Sequence, residues 1–205
     1  MRTYFIILFT VFCTGCSVFQ PQKDNSTYYM FSSGAVGNKK SEARNSAIVI
    51  SINSVPEYLS YPYIAKKVAE TRLIFDQSHR WAINFKEMCQ QLIVDEVSKG
   101  LDRSSNERFD NIQIVSGSFA KRKTNMAATI VINISDLIYD AQKNAVCFKC
   151  QWSMVGSSTG SETLFFEYEN IINVAEEDYD EITVMTKKTL SEFAAEVADK
   201  LVTLI

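Results

Sequence analysis

The segment "AVCFKCQWSMV", residues 145–155, alternates between two kinds of side chain. Every second position is apolar: Val146, Phe148, Cys150, Trp152 and Met154. Side chains of a β-strand point alternately to opposite faces of the sheet. The pattern therefore predicts a strand with one face on a hydrophobic core and the other facing away from it.

The same segment contains a CxxC pair, Cys147 and Cys150. Residues three apart in a strand point to opposite faces, and their Cα atoms lie about 10 Å apart. That separation is too long for a disulfide and does not suit a shared metal ion. We therefore expect Cys150 in the core and Cys147 on the other face, with neither a redox role nor a metal role.

Similar β-rich runs surround this segment, at residues 111–119, 126–135 and 163–172. Polar stretches separate the runs and predict hairpin loops. One stretch, "GSSTG", has the G-x-S-x-G pattern around Ser158. A nucleophile elbow needs a following helix and a histidine later in the chain. Here a strand follows, and the single histidine, His79, lies upstream. The sequence favours a hairpin turn over a hydrolase site.

Two amphipathic helices frame the strands. Apolar residues recur at helical spacing in the first: Phe85, Met88, Cys89, Leu92, Ile93, Val97 and Leu101. Asn84 is suited to cap this helix, with Glu87 three places on, and Gly100 is suited to end it. A second helix is predicted from about Tyr179. The acidic run before it, "EEDYDE", fits a helix N-terminus better than a calcium loop.

The region before the first helix is predicted to hold short strands. "YYMF" and residues 47–56 are two candidates, and a further strand starts at Lys67. The resulting order is β-β-α-β-β-β-β-α. It predicts an α+β fold, a largely antiparallel mixed sheet with two main helices packed on one face. We expect one such domain over residues 28–205.

The stretch "PEYLSYPYI" is predicted to be a loop because it holds two prolines. Its aromatic residues, Tyr58, Tyr61 and Tyr63, are candidates for partner contact, since exposed aromatics often anchor interfaces. The alternative is that they pack beneath the loop. His79 is expected in a turn that seats Trp81 in the core.

The N-terminus resembles a lipoprotein signal. Arg2 precedes the apolar run "FIILFTVF", which is too short to span a bilayer. Thr14-Gly15-Cys16 resembles the end of a bacterial lipobox, with Cys13 where an aliphatic residue is usual. We expect residues 1–15 to be a signal peptide and Cys16 to be lipidated. Residues 16–27 then form a lipidated tether that reaches roughly 35 Å when extended.

Composition excludes several function classes. The chain of 205 residues is 46% hydrophobic with a net charge of −3, and it has no strongly basic stripe. Nucleic acid is therefore not an expected partner. The sequence has no glycine-rich phosphate loop and no cluster of histidines, so we expect no cofactor and no metal.

Several ordered motifs together resemble a known family. "YYMF", "VPEYL" with "YPYI", "HRWAINF" and the closing "DYDEITVMTKKTLSEFAAEVADKL" follow the order of motifs in the ABC-type transport auxiliary lipoproteins, the PqiC-like proteins. The resemblance covers nearly the whole mature chain. Asn84 stands where that family has proline, and Tyr61 stands where it has arginine.

This resemblance implies a non-enzymatic role. Such proteins are outer-membrane lipoproteins that face the periplasm and partner an MCE-domain protein of an ABC-type lipid transporter. A homo-oligomer, such as a ring of copies, is implied as one arrangement. Two alternatives stay open at this stage: an accessory of lipopolysaccharide or cell-wall assembly, and an envelope hydrolase that uses Ser158.

Overall fold

A computed structural model describes residues 24–31, 46–104, 106–109, 111–117, 125–156 and 162–204. Its strands are β1 (Thr27–Tyr29), β2 (Ser46–Ser54), β3 (Tyr63–Ala69), β4 (Arg72–Trp81), β5 (Ile112–Ser116), β6 (Asn125–Asp140), β7 (Ala145–Gly156) and β8 (Thr163–Asn173). Its α-helices are α1 (Phe85–Arg103) and α2 (Tyr179–Leu204), and two short 3₁₀ helices lie at Glu57–Ser60 and Glu107–Phe109.

All eight described strands form one mixed sheet organised around β6. One edge of β6 pairs along its length with β7, which pairs in turn with β8, and both pairings are antiparallel. The other edge is shared, because β2 pairs in parallel with its first part and β3 with its last residues. β5 extends the β2 side in parallel. The predicted α+β class is confirmed, and the longest pairings are antiparallel.

The core lies between the sheet and the two helices. Trp152 and Phe148 of β7 are fully buried and contact the Phe193 ring of α2, both in edge-on geometry. Cys150 lies between these two rings in sequence and is also fully buried. The apolar side chains predicted to alternate along residues 145–155 are therefore the ones that pack β7 against α2.

The caps and turns follow the local sequence. The Asn84 side chain accepts a hydrogen bond from the Glu87 backbone N–H at 3.2 Å, which confirms the predicted N-cap of α1. The β6–β7 hairpin turns at residues 141–144, and Asn144 has φ of 48°, a region that asparagine tolerates.

Gly100 does not end α1, contrary to the sequence prediction. The helix continues to Arg103, and the backbone N–H of Ser104 closes it on the Gly100 and Leu101 carbonyls. The glycine instead permits close helix packing. A Cβ atom at position 100 would lie 2.7 Å from the Ala198 Cβ of α2. Gly100 therefore lies at a close approach of the two helices, which we call the α1–α2 seam.

Two further strand predictions are corrected. The single strand predicted from Lys67 is a hairpin, β3 and β4, that turns at Glu70 and Thr71. A tight turn without glycine or proline gave no sequence signal. The predicted strand 126–135 is shorter than β6, which runs on to Asp140. His79 lies in β4 and not in a turn, although Trp81 is buried as expected.

Candidate functional site

The predicted lipidation residue, Cys16, lies outside the described residues, as do Cys13 and Ser158. The described chain begins at Asp24, and β1 starts three residues later. β1 is therefore the first element after the predicted tether. It pairs in parallel with β4, so that the tether leads into the β3–β4 side of the sheet.

Tyr58 is held by the fold. It lies in the first 3₁₀ helix and packs against the core. Its hydroxyl donates to Asp136 Oδ1 at 2.5 Å and accepts from the Leu137 backbone N–H at 3.1 Å. Burial and the carboxylate beside it raise the pKa of Tyr58 well above its ordinary value. Two hydrogen bonds and burial give this tyrosine a structural role.

Tyr61, three residues later, has the opposite environment. Its side chain is 47% exposed, and its ring meets the Phe75 ring of β4 edge-on at a centroid distance of 5.4 Å. Phe75 is itself 40% exposed. Two large aromatic side chains are thus in contact with each other and with solvent.

Tyr63 is the first residue of β3 and is half-buried. It lies opposite Arg80 of β4, whose guanidinium carbon is 5.2 Å from the centre of the Tyr63 ring. Arg80 also lies opposite Tyr28 of β1, and Tyr28 is exposed. Residues opposite each other on paired strands share a face. Tyr28, Arg80 and Tyr63 therefore form one row across three strands.

These side chains lie on the face of the sheet away from the helices. Lys66 of β3 points toward α2, because its Nζ lies 4.2 Å from the centre of the Tyr179 ring. Its neighbour Ala65 therefore points to the opposite face, and Phe75 lies directly across from Ala65. Tyr63 is two residues before Ala65 and shares that face. We call this surface the aromatic face and define it by Tyr28, Tyr61, Tyr63, Phe75 and Arg80.

The sequence prediction identified only part of this surface. It named Tyr61 and Tyr63 but placed them with Tyr58 in a loop, whereas Tyr63 begins a strand and Tyr58 is packed. Phe75 and Arg80 were missed because the β3–β4 hairpin was not recognised. Phe75 and Arg80 are five residues apart in β4 and share a face only because of the register shift that follows Tyr63 in the β3–β4 pairing, which strand alternation alone does not predict.

The opposite side of the same hairpin carries a polar cluster. His79 stacks on Tyr179 at a centroid distance of 3.8 Å, and its Nδ1 lies 3.2 Å from Asp76 Oδ2. The Tyr179 hydroxyl donates to the same Asp76 oxygen at 2.8 Å. Burial raises the pKa of Asp76, but hydrogen bonds from Ser78 and Tyr179 and the neighbouring His79 outweigh it, and the net shift is downward. The cluster joins β4 to the start of α2.

The cysteines are placed as the strand pattern predicted. Cys150 is buried and lies opposite Tyr168, while Cys147 is partly exposed and lies opposite Ile171. Burial raises the pKa of Cys150 to about 12 and also raises the pKa of Cys147. Both thiols therefore stay protonated at neutral pH, which does not suit a nucleophile or a metal ligand.

The acidic residues around the start of α2 make hydrogen bonds and an ion pair at that end of the helix. The Glu181 carboxylate accepts hydrogen bonds from the backbone N–H groups of Ala175 and Glu176, both at 2.8 Å. Glu177 pairs with Lys66 at 3.1 Å. No group of acidic, cysteine or histidine side chains with a metal-binding arrangement occurs in the described part of the chain. Within the same ranges, no helix has both the length and the apolar character needed to cross a membrane.

Comparison with known proteins decides the family. The family model of the ABC-type transport auxiliary lipoprotein component matches residues 29–198. This chain belongs to that family. The resemblance inferred from the ordered motifs is thereby confirmed. The family consists of lipoproteins that assist ABC-type transport. No curated protein matches the sequence.

Solved structures confirm the fold of the auxiliary lipoprotein. An uncharacterised protein is 12% identical with a TM-score of 0.67, and the match covers 86% of this chain and 98% of that one. A Xanthomonas campestris protein of family model DUF330 is 13% identical with a TM-score of 0.57, covering 74% and 81%. At these identities the likeness concerns the fold alone.

A weaker likeness links the auxiliary lipoprotein to PelC of Paraburkholderia phytofirmans, solved as a dodecamer. The identity is 6% and the TM-score 0.39, with 75% of this chain and 89% of that chain covered. A likeness at that level does not bear on how this chain assembles.

Proposed function

We propose that this chain is a non-enzymatic accessory lipoprotein of an MCE/ABC-type intermembrane lipid transport system. It docks the periplasmic MCE-domain component at the outer membrane and faces the periplasm. The observation that carries the proposal is the family match over residues 29–198, which includes nearly every described element. The proposal adds the MCE partner, the lipid cargo and the outer membrane to that family assignment.

The anchor in this proposal is a lipid on Cys16, after removal of residues 1–15. Two or three acyl chains hold a protein firmly on a bilayer, whereas one chain holds it only marginally. Thr27, the start of β1, lies eleven positions after Cys16. At roughly 3.1 Å per residue this stretch allows the domain to sit within about 35 Å of the membrane.

The partner contact in this proposal is the aromatic face. Interface hot spots are enriched in tyrosine and arginine. The aromatic face combines the exposed Tyr61–Phe75 pair with the Tyr28–Arg80–Tyr63 row. Four of these side chains lie on three strands, and Tyr61 lies just before β3; the strands hold the set in a fixed arrangement and reduce the entropy lost on binding.

The chemistry of the described residues supports a non-catalytic role. The partly exposed thiol of Cys147 has a raised pKa, and His79 is engaged by Asp76 and stacked on Tyr179. The polar cluster around His79 bridges β4 and α2, an arrangement typical of structural contacts.

The proposal is tested on the native protein. Mass spectrometry of the mature N-terminus should show acylated Cys16 as the first residue, and membrane fractionation should place the chain in the outer membrane. Affinity purification from solubilised membranes should recover an MCE-domain subunit. A Cys16→Ala variant is the control for the anchor and should leave the membrane fraction. An unmodified Cys16, or repeated recovery of the chain without any transporter subunit, would contradict the proposal.

A further inference from the structure

The β8 strand has a free edge at the far side of the sheet from the aromatic face. Among the described residues β8 pairs with β7 alone, and its 11 residues run in unbroken register without a bulge. Exposed sheet edges are usually blunted by proline, lysine, bulges or short strands. The sequence "TLFFEYENIIN" has no proline and no lysine, and its charged side chains are Glu167 and Glu169. This edge is therefore a regular template for another strand.

A groove runs beside that edge, between β8 and the last turns of α2. It has a volume of about 540 Å³ and is lined by Leu164 and Phe166 from the strand and by Thr203 and Leu204 from the helix. Lys200 extends over the Phe166 ring at 5.7 Å. A strand added to β8 would lie about 4.8 Å away from it, and its inward side chains would enter this groove.

The side of α2 that overlooks the edge is acidic. Glu192 accepts a hydrogen bond from Asn170 of β8 at 2.7 Å, and Glu196 and Asp199 line the groove. These three residues follow one another at helical spacing. On the face of β8 away from α2, Glu167 and Glu169 lie between the exposed apolar residues Phe165 and Ile171. Lys149 offsets part of this charge at Glu169, at 3.5 Å.

This charge argues against a second copy as the occupant. A two-fold antiparallel pairing of β8 with itself, centred on Tyr168, sets Glu167 of each copy opposite Glu169 of the other. Like charges directly opposite each other destabilise a strand pair. Lysine or arginine side chains opposite Glu167 and Glu169 would instead be neutralised by these glutamates of β8, while the alternate side chains of the same strand would enter the groove beside α2.

We propose that the β8 edge and its groove form a strand-addition site for an extended segment of a partner protein, in which basic and apolar residues alternate. Backbone hydrogen bonds to β8 supply affinity. The groove takes the apolar side chains, and Glu167 and Glu169 face the basic ones. This inference does not depend on the transport role, because it rests only on the geometry and charge of this edge.

The test uses the full chain purified into phosphatidylcholine nanodiscs and a capped 11-residue peptide that alternates lysine and valine, matched to the length of β8. Fluorescence anisotropy should show saturable binding below about 1 mM. A peptide with glutamate in place of lysine should not bind. A peptide with a central proline should bind at least about tenfold more weakly, because proline removes a ladder donor and breaks the strand.

The location is tested with matched variants. Glu167→Gln combined with Glu169→Gln should weaken the lysine peptide by about fivefold, since two facing charges are lost. Glu57→Gln combined with Glu70→Gln removes the same charge from exposed positions elsewhere and should leave binding unchanged. Amide hydrogen exchange of β8 should slow in the complex.

Several results would overturn the proposal. These are no binding, equal binding of the proline peptide, equal binding of the glutamate peptide, or an equal effect of the two variant pairs. Protection of the free-edge β8 amides from hydrogen exchange in the free protein would also overturn it. The protecting strand could come from a second copy, detected by sedimentation, or from the chain's own residues. A failure of MCE-subunit recovery, by contrast, leaves all of these measurements unaffected.

Discussion

The α1–α2 seam and the aromatic face use side-chain size in opposite ways. At the seam, Gly100 lets two helices approach until an added Cβ would lie 2.7 Å from Ala198. At the aromatic face, Tyr61 and Phe75 have large, partly exposed rings that contact each other edge-on. Substitutions at the seam should therefore change stability, and substitutions at the face should change binding.

The largest effect is expected at the seam. Gly100→Ala should lower the free energy of unfolding by about 1–3 kcal/mol through overpacking, even though alanine favours the helix by up to about 1 kcal/mol. Denaturant unfolding of the full chain measures this change. The Gly100→Ala, Ala198→Gly double variant should recover most of the loss, because it removes the atom that is contacted. Equal or greater stability of Gly100→Ala alone would show that the helices can separate freely at this point.

A smaller effect distinguishes two neighbouring tyrosines. Tyr58→Phe removes the hydroxyl that bonds Asp136 and Leu137 and should cost about 1–3 kcal/mol, since it leaves a part-buried acceptor and donor without this partner. Tyr61→Phe should change the free energy of unfolding by less than about 0.5 kcal/mol. Thermal and denaturant melts of the two variants give the comparison. Equal losses of stability would show that both tyrosine hydroxyls stabilise the fold.

These tyrosines also show what the sequence could predict. Local patterns gave the two helices, the N-cap at Asn84 and the opposite faces of Cys147 and Cys150, because each depends on spacing within one element. Exposure at "PEYLSYPYI" depends on which elements cover it. Tyr58 is packed because Asp136, far along the chain, reaches its hydroxyl, and no local pattern contains that information.

Two other errors have similar physical origins. Gly100 follows a lysine near the end of an apolar stripe, which is the pattern of a helix end. Its actual role is set by Ala198 on another helix. The β3–β4 hairpin turns without glycine or proline, so the aromatic face could not be assembled from sequence. The parallel pairing of β1 with β4 joins segments about fifty residues apart and likewise has no local signal.

A pH effect separates the two sides of the β3–β4 hairpin. The pKa of Asp76 is lowered in the folded chain, so its ionised form stabilises the fold at pH values above its ordinary pKa of 3.8. That stabilisation should be lost as pH falls below about 4 toward the folded-state pKa. Asp76→Asn should remove this part of the acid dependence, as followed by thermal melts across pH. An unchanged acid profile would show that the carboxylate contributes nothing to the link with Tyr179.

The most direct test of the account is partner capture by a variant of the aromatic face. The Tyr61→Ala, Phe75→Ala double variant is compared with Val184→Ala, which truncates an exposed apolar residue of α2. Both should melt close to the unchanged chain, and only the double variant should lose recovery of the MCE-domain subunit from solubilised membranes, by about tenfold or more. Full recovery by the double variant, or a collapse of its thermal stability, would contradict the assignment of this face to partner binding.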